Sequence, residues 1–449
     1  MPEVVNEATA RALCTRALRH VSAESAFVTL VSHSRGNTRA AANHISSSGE
    51  VRDIQLQLSA QEGNRRASVA LNQADDRALT QAGRRLDALL RAAPEDSELP
   101  PPLEQPVYEA VAASFESTEA LDADARAEVM AELVRSAEAI GSTGSGFLDR
   151  DVVARAVASS TGLFAFHRST LASFTATVRT ADGGGAGWAG TAHNDWARTS
   201  PPSATIQRAV DKALRSRQPD ALDPGAYTVV LEPTAVGNLL ALLPPALDAR
   251  DAEEGRSRFS RPGGGTLVGE QVVDGRITLL SDPADPDLLE PPFTDEGVPV
   301  SRTVWIEEGV LRNLGHSRYW ATHKGVPPVP IAGGFKLLGT DRDMTSVVGA
   351  VERGVLVSRL WDLRPVDPRR LQFTGLTRDG TFLIENGQVT QALRNMRFNE
   401  SLLGVLNRVD AIGRVERIVA SEGDTPGPAL AVPALVVRDF RFTAVSDAL

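Results

Sequence analysis

The chain has 449 residues, long enough for two or three domains with sizeable cores. Its net charge of −10 argues against a protein whose main partner is a nucleic-acid backbone, which calls for clustered Lys and Arg. Hydrophobic residues at 42% exclude a disordered chain, and a single cysteine, Cys14, excludes an internal disulfide and a cysteine-rich zinc site.

The opening MPEVVNEATARAL has neither a basic start nor a continuous apolar core, so it does not read as a signal peptide. No apolar run approaches the ~20 residues that a membrane helix needs. The expected location is the cytoplasm, with no membrane and no nucleic acid as partners. Asn6 to Val21 has helical spacing of Ala10, Leu13, Ala17, Leu18 and Val21, and Cys14 sits in it as a packing residue. Four strands are expected next: Ala26–Ser32, Thr38–Ile45, Ile54–Ser59 and Arg66–Asn72, with His33 and His44 at their rims. Asp75–Arg91 and Asp122–Ile140 read as helices, separated by the surface loop PEDSELPPPLEQP. Ser142 and Ser145 read as loop. Strands are expected at Val152–Ser159, Gly162–His167, Ser173–Val178 and Gly187–Ala192, the last after a hairpin at Gly183-Gly184-Gly185. Ser203–Arg215 is a further helix.

A polar, proline-bearing stretch at Gln218–Pro224 divides an α+β domain, 1–220, from a β-rich domain, 225–449. The fold class expected is thus α+β: an antiparallel sheet with packed helices, then a mostly β region. In the second part, Tyr227–Leu231 is an apolar strand and Asn238–Leu243 begins a helix that Pro244-Pro245 ends. Strands follow near Val272 and at Ile277–Leu280, Val300–Ile306 and Val310–Leu314, with Glu307-Glu308-Gly309 as a tight turn. Val355 to Trp361 is a strand that the turn Arg364-Pro365…Asp367-Pro368 stops. Leu371–Leu376 and Thr381–Glu385 are two more, and Asn386-Gly387 turns the chain into Gln388–Leu393. Glu400–Leu406 is a short helix or strand, and Ala434–Val437 and Phe440–Val445 close the chain.

Several of these residues, in this order, resemble the TldD/PmbA (TldE) family, once called modulators of DNA gyrase. They are Asp295-Glu296-Gly297, Ile306-Glu307-Glu308-Gly309-Val310-Leu311, Gly354, Val355, Val357, the Gly375–Gly380 turn and Ile384-Glu385-Asn386-Gly387-Gln388-Val389. The resemblance covers the carboxy-terminal half well and the amino-terminal half in outline. Catalytic members are zinc peptidases with HExxxH on a helix and a late cysteine, because a catalytic zinc takes three protein ligands and keeps one position for water. In this sequence Ala241 and Ala246 stand where those histidines would be and Leu242 where the glutamate would be. Ser421–Gly427, where the cysteine belongs, reads SEGDTPG. No HExxH or HExxxH occurs elsewhere, and no GxSxG elbow either.

The remaining candidates are weaker. His193 and Asp195 lie two apart, and His316 and His323 lie about two helical turns apart, so isolated polar roles explain them more simply than a metal. Arg359, Arg378 and Arg397 could hold a carboxylate or a partner, although such arginines are more often solvated or paired within a fold. The resemblance implies a non-catalytic, TldE-like subunit with no cofactor of its own. Its partner would be an HExxxH-bearing TldD-like chain that carries zinc, and its substrate an unfolded peptide. A homodimeric peptide-binding module and an autonomous hydrolase remain as alternatives. Strand addition is the expected mode of peptide capture, with Val355–Trp361 as the edge and Val355, Val357, Arg359, Trp361 and Arg378 as the peptide- or partner-binding residues.

Overall fold

The computed structural model describes residues 4–331, 333–419 and 429–446. The first part of the chain builds a six-stranded antiparallel sheet in the order β3-β2-β1-β4-β5-β6. Its strands are β1 (Ser25–Ala41), β2 (His44–Glu62), β3 (Arg65–Leu71), β4 (Ser142–Ser159), β5 (Phe164–Thr180) and β6 (Ala186–His193). The helices packed on it are α1 (Glu7–Leu18), α2 (Asp76–Ala92), the short α3 (Glu116–Glu119), α4 (Ala123–Glu138) and α5 (Pro202–Arg215). Three of them start on side chains that cap a free amide: Asn6 accepts from Thr9, Asp75 from Ala78 and Asp122 from Ala125.

The strands are fewer and longer than expected. The four between Ala26 and Asn72 are three, because Ser32 to Asn37 continues the strand instead of turning. Ser32 and Ser34 occupy buried positions in the alternation, and small side chains fit beneath the helices. Gly36 continues that face, where a Cβ would meet the Arg126 guanidinium at 2.4 Å. The chain reverses at Ala42-Asn43, both left-handed at φ 49° and 64°. Gly162–His167 and Ser173–Val178 likewise merge into β5, and Ser142 and Ser145 belong to β4 rather than to a loop. One core joins α1 and α2 to Leu30, Leu58 and Ala156; another joins α4 and α5 to Leu148, Phe174 and Val178.

The second part forms an eleven-stranded sheet. It contains β7 (Gly225–Leu231), α6 (Pro233–Leu240), α7 (Ala249–Glu253), β8 (Leu279–Ser281), β9 (Thr303–Glu307) and β10 (Val310–Leu311). Then come α8 (Arg318–Lys324), β11 (Phe335–Leu337), α9 (Met344–Gly349), β12 (Arg353–Asp367), β13 (Gln372–Glu385), β14 (Gln388–Ala392) and β15 (Met396–Ser401). The last elements are α10 (Leu402–Leu406), β16 (Val409–Ile418) and β17 (Leu430–Val445). Pairing runs β7-β12-β13-β15-β17 and returns to β7, so these five strands close a ring. Phe398, Phe440, Val357 and Leu435 belong to the large core of this part, against α6 and α10. The whole chain is therefore α+β, with its helices concentrated on the first sheet and a mostly β second part.

Pro365 does not stop β12, which reaches Asp367 through register shifts at Val357/Arg359 and Trp361/Arg364. Beyond Val357, β13 is the one strand paired with β12 among the described residues, so Pro365 lies in an edge segment, where a missing N–H is tolerated. The two strands expected around Gly375–Gly380 form one, β13, with Asp379 and Gly380 in left-handed conformations at φ 53° and 138°. Among the described residues, the segment near Val272 makes a single bridge, Gln271 to Val310. The turns at Glu308-Gly309 and Asn386-Gly387 take the left-handed conformations expected of them.

Candidate functional site

The helix after β7 begins at Pro233, earlier than the spacing suggested, because proline at the first helical position has no amide to leave unpaired. Gly237 sets its approach to the sheet: a Cβ there would meet Ile418 Cδ1 at 2.1 Å. The helix ends at Ala241, whose N–H donates to the Gly237 carbonyl at 2.9 Å, and a 3-10 turn follows at Pro244–Leu247. Ala241 and Leu242 are half-buried against the large core of the second part, and Ala246 is buried. The Ala246 carbonyl accepts the Ser257 hydroxyl at 2.6 Å. None of these three side chains has an atom that can bind a metal or move a proton, so the turn does not fit zinc. Among the described residues no three His, Cys, Asp or Glu side chains are grouped to hold a metal ion. Ser421–Gly427 lies outside the described residues.

His193, His316 and His323 are engaged locally. His193 Nε2 lies 3.0 Å from the Pro286 carbonyl, and its Nδ1 accepts the Asp195 N–H at 2.9 Å. Burial, with Arg417 and Arg198 nearby, holds its pKa below the usual value. His316 Nδ1 lies 3.0 Å from the Leu314 carbonyl, and His323 stacks on Trp320.

Over Val355–Val357, β12 is an interior strand and not a docking edge. At Val355–Val357 the strand lies between two neighbours, with Val357 opposite Leu231 of β7 and Thr381 of β13. The Val357 carbonyl also accepts the Glu232 N–H. Both valines are fully buried. The expected edge, Val355–Trp361, is thus interior over Val355–Val357, because β7, from a distant part of the chain, pairs there in parallel; from Arg359 to Trp361, β13 is its one strand partner among the described residues. Arg359 is buried and donates through Nε to Asp379 at 2.9 Å. Its guanidinium lies over Trp188 and Trp361, and Arg378 lies over Trp361 from 4.9 Å. Arg359, Arg378 and Trp361 thus meet in one cation–π stack, with Trp361 40% exposed. Neither Asp379 nor Trp188 was singled out in the sequence.

The two parts of the chain meet around Asp295-Glu296-Gly297. The Asp295 carbonyl accepts the Thr29 hydroxyl, and its carboxylate lies 3.8 Å from Arg155. Glu296 lies 3.8 Å from Arg66, and the Gly297 carbonyl accepts the Tyr108 hydroxyl at 2.7 Å. Gly297 has φ 80°, a conformation that favours glycine, and a Cβ there would lie 3.0 Å from a Leu163 methyl. Beside this junction is a cavity of about 580 Å³, within the size range of small-ligand sites. Arg155, Asp248, Glu290, Phe293, His316 and Arg318 contribute to its wall. Asp248 is two residues past Ala246, so the cavity adjoins the turn that aligns with the family's metal motif.

Glu290 is its most unusual group. One carboxylate oxygen accepts the Ala429 N–H at 3.1 Å, and among the described residues the other has no hydrogen-bond donor. Burial raises its pKa, against the lowering effect of Arg417 and Arg155. Arg417 Nη1 donates to Asn194 Oδ1 at 2.6 Å and to the Asp287 and Leu288 carbonyls. On the sheet face of Arg155, directly across from it, is His167. Its ring is buried, its Nε2 has no partner among the described residues, and its pKa is lowered to about 4.

Residues 100–217 match the PmbA/TldA metallopeptidase central domain and residues 224–444 the PmbA/TldA metallopeptidase C-terminal domain. An Archaeoglobus fulgidus protein called a metalloprotease is 28% identical over 163 residues, 35% of this chain and 34% of that protein. The match therefore spans only about a third of that relative's length. TldE from Thermococcus kodakarensis has the same fold, with a TM-score of 0.84 at 17% identity over 97% of this chain and 99% of that one. A Thermotoga maritima protein described as a modulator of a DNA gyrase superposes with a TM-score of 0.82 at 15% identity, over 93% and 96% of the two chains. A Bacteroides thetaiotaomicron protein of similar description gives 0.81 at 19%, over 98% and 99%. Two adjoining domain matches from one family, on the fold and motif order described above, place this chain in the TldD/PmbA metallopeptidase family.

Proposed function

We propose that this chain is the non-catalytic, TldE-like member of a two-chain zinc metallopeptidase acting on unfolded peptides in the cytoplasm. The observation that carries the reading is the α6 turn. A peptidase zinc needs nitrogen, sulfur or oxygen ligands and a base for its water, and Ala241, Leu242 and Ala246 supply only carbon. The metal, the base and the activated water would come from an HExxxH-bearing partner of the same family. This chain would contribute the wall of the chamber in which the peptide is held.

The test is to prepare this chain and an HExxxH homologue separately, measure zinc in each, and assay each and the mixture on an unfolded peptide. Zinc is expected in the partner only, and cleavage is expected to rise sharply on mixing. One tightly held zinc per molecule of this chain, or no gain on mixing, would refute the reading.

A further inference from the structure

We propose that the cavity beside the α6 turn binds the protonated amine of a peptide, with Glu290 as the group that receives it. The choice of a peptide as carrier rests on the function proposed above; the amine chemistry rests on the cavity alone. Glu290 is half-buried in the wall of the cavity. Gly333, left-handed at φ 76°, lies against the side-chain stem: a Cβ there would be 3.2 Å from Glu290 Cβ. The Ala429 N–H fixes one oxygen at 3.1 Å. The second oxygen has no donor among the described residues and is not shut off from solvent, so it is open to the cavity.

The other charges around the cavity favour a cation. Arg155 is turned to Asp295, Arg318 donates to the Pro101 carbonyl, and the His316 ring is held at the Leu314 carbonyl. The carboxylate of Glu296 faces Arg66. Asp248 uses one oxygen to cap α7 through the Asp251 N–H and has no further partner among the described residues. Two carboxylates with an open oxygen thus border one cavity whose cations are engaged. An ammonium has three donors and no acceptor, which suits such a pair. Phe293, Ile331 and Pro330 give the same cavity an apolar side for the residues that follow the amine.

The amine can be a peptide's amino terminus or a lysine side chain, and three labelled, unstructured peptides of one sequence separate these. The first has a free amino terminus and no lysine, the second is acetylated and has no lysine, and the third is acetylated with one internal lysine. Binding is measured to the purified chain without any catalytic partner, so the outcome does not depend on the mixing assay. One amine-bearing peptide is expected to bind about tenfold more tightly than the acetylated, lysine-free one, as for a charge-assisted hydrogen bond. Glu290→Gln, with an unchanged circular dichroism spectrum, is expected to abolish that preference. Independently of any variant, n-butylamine is expected to displace the favoured peptide from the wild-type chain. Equal affinity for all three peptides, a preference that survives Glu290→Gln, or no displacement by n-butylamine overturns the proposal.

Discussion

The α6 turn and the junction between the two parts of the chain lie side by side but are built from opposite materials. At the turn, Ala241, Leu242 and Ala246 pack as carbon against carbon. At the junction, Glu290 keeps an oxygen open to the cavity, His167 keeps a buried ring nitrogen without a partner among the described residues, and Arg417 is held by Asn194 and two carbonyls. The contrast is informative because the two arrangements have different costs. An apolar turn contributes to stability through burial alone. A half-satisfied buried polar group lowers stability, so its presence points to something other than packing.

Placing the metal motif back into the turn should have the largest effect. The triple variant Ala241→His, Leu242→Glu, Ala246→His puts two rings and a carboxylate where small or apolar side chains pack. It is expected to lose at least ~3 kcal/mol through overpacking and burial of polar atoms, measured by urea unfolding. A triple variant as stable as the parent would show that the turn is open enough to accept ligands, and the contrast would fail.

A pH titration of stability probes the junction. Burial first, and Arg155 second, hold His167 at about 4, below the ordinary 6.5. Above 6.5 the ring is neutral in both folded and unfolded chains and contributes no pH dependence. Between 6.5 and about 4 the unfolded chain takes up the proton first, so stability falls as pH falls. The loss across this window should reach at most ~3 kcal/mol, and His167→Gln should remove it. An equal slope in the variant would mean that the ring is solvated. The smallest effect belongs to Leu242→Met, expected to cost less than about 1 kcal/mol in urea unfolding, as a volume-conserving swap in an apolar site. A larger loss would assign the turn a shape requirement that its composition does not reveal.

Local chemistry was legible in the sequence. Asn6, Asp75 and Asp122 mark the starts of helices because a capping side chain acts within a few residues. Asn386-Gly387 marks a hairpin because both residues take left-handed conformations. The lack of metal ligands at Ala241, Leu242 and Ala246 was also readable, since it is a matter of atoms and not of geometry. Strand lengths were less legible: the polar stretch through Ser32 and Ser34 looks like a connection, yet small polar residues can lie beneath a helix when strand neighbours satisfy the backbone.

Only the tertiary structure decided which strands lie side by side. Val355–Val357 looks like an edge in sequence, and it becomes interior because β7, far upstream, pairs with it in parallel. Arg359 meets Asp379 across a hairpin and Trp188 from the other sheet, at distances in sequence that no local pattern encodes. Glu290 is an ordinary carboxylate in the sequence. Its character comes from Ala429, Arg155 and Arg417, which are brought around it from both parts of the chain. Caps, turns and ligand atoms act over one to four residues of chain, whereas burial and pairing depend on neighbours that only the folded chain supplies.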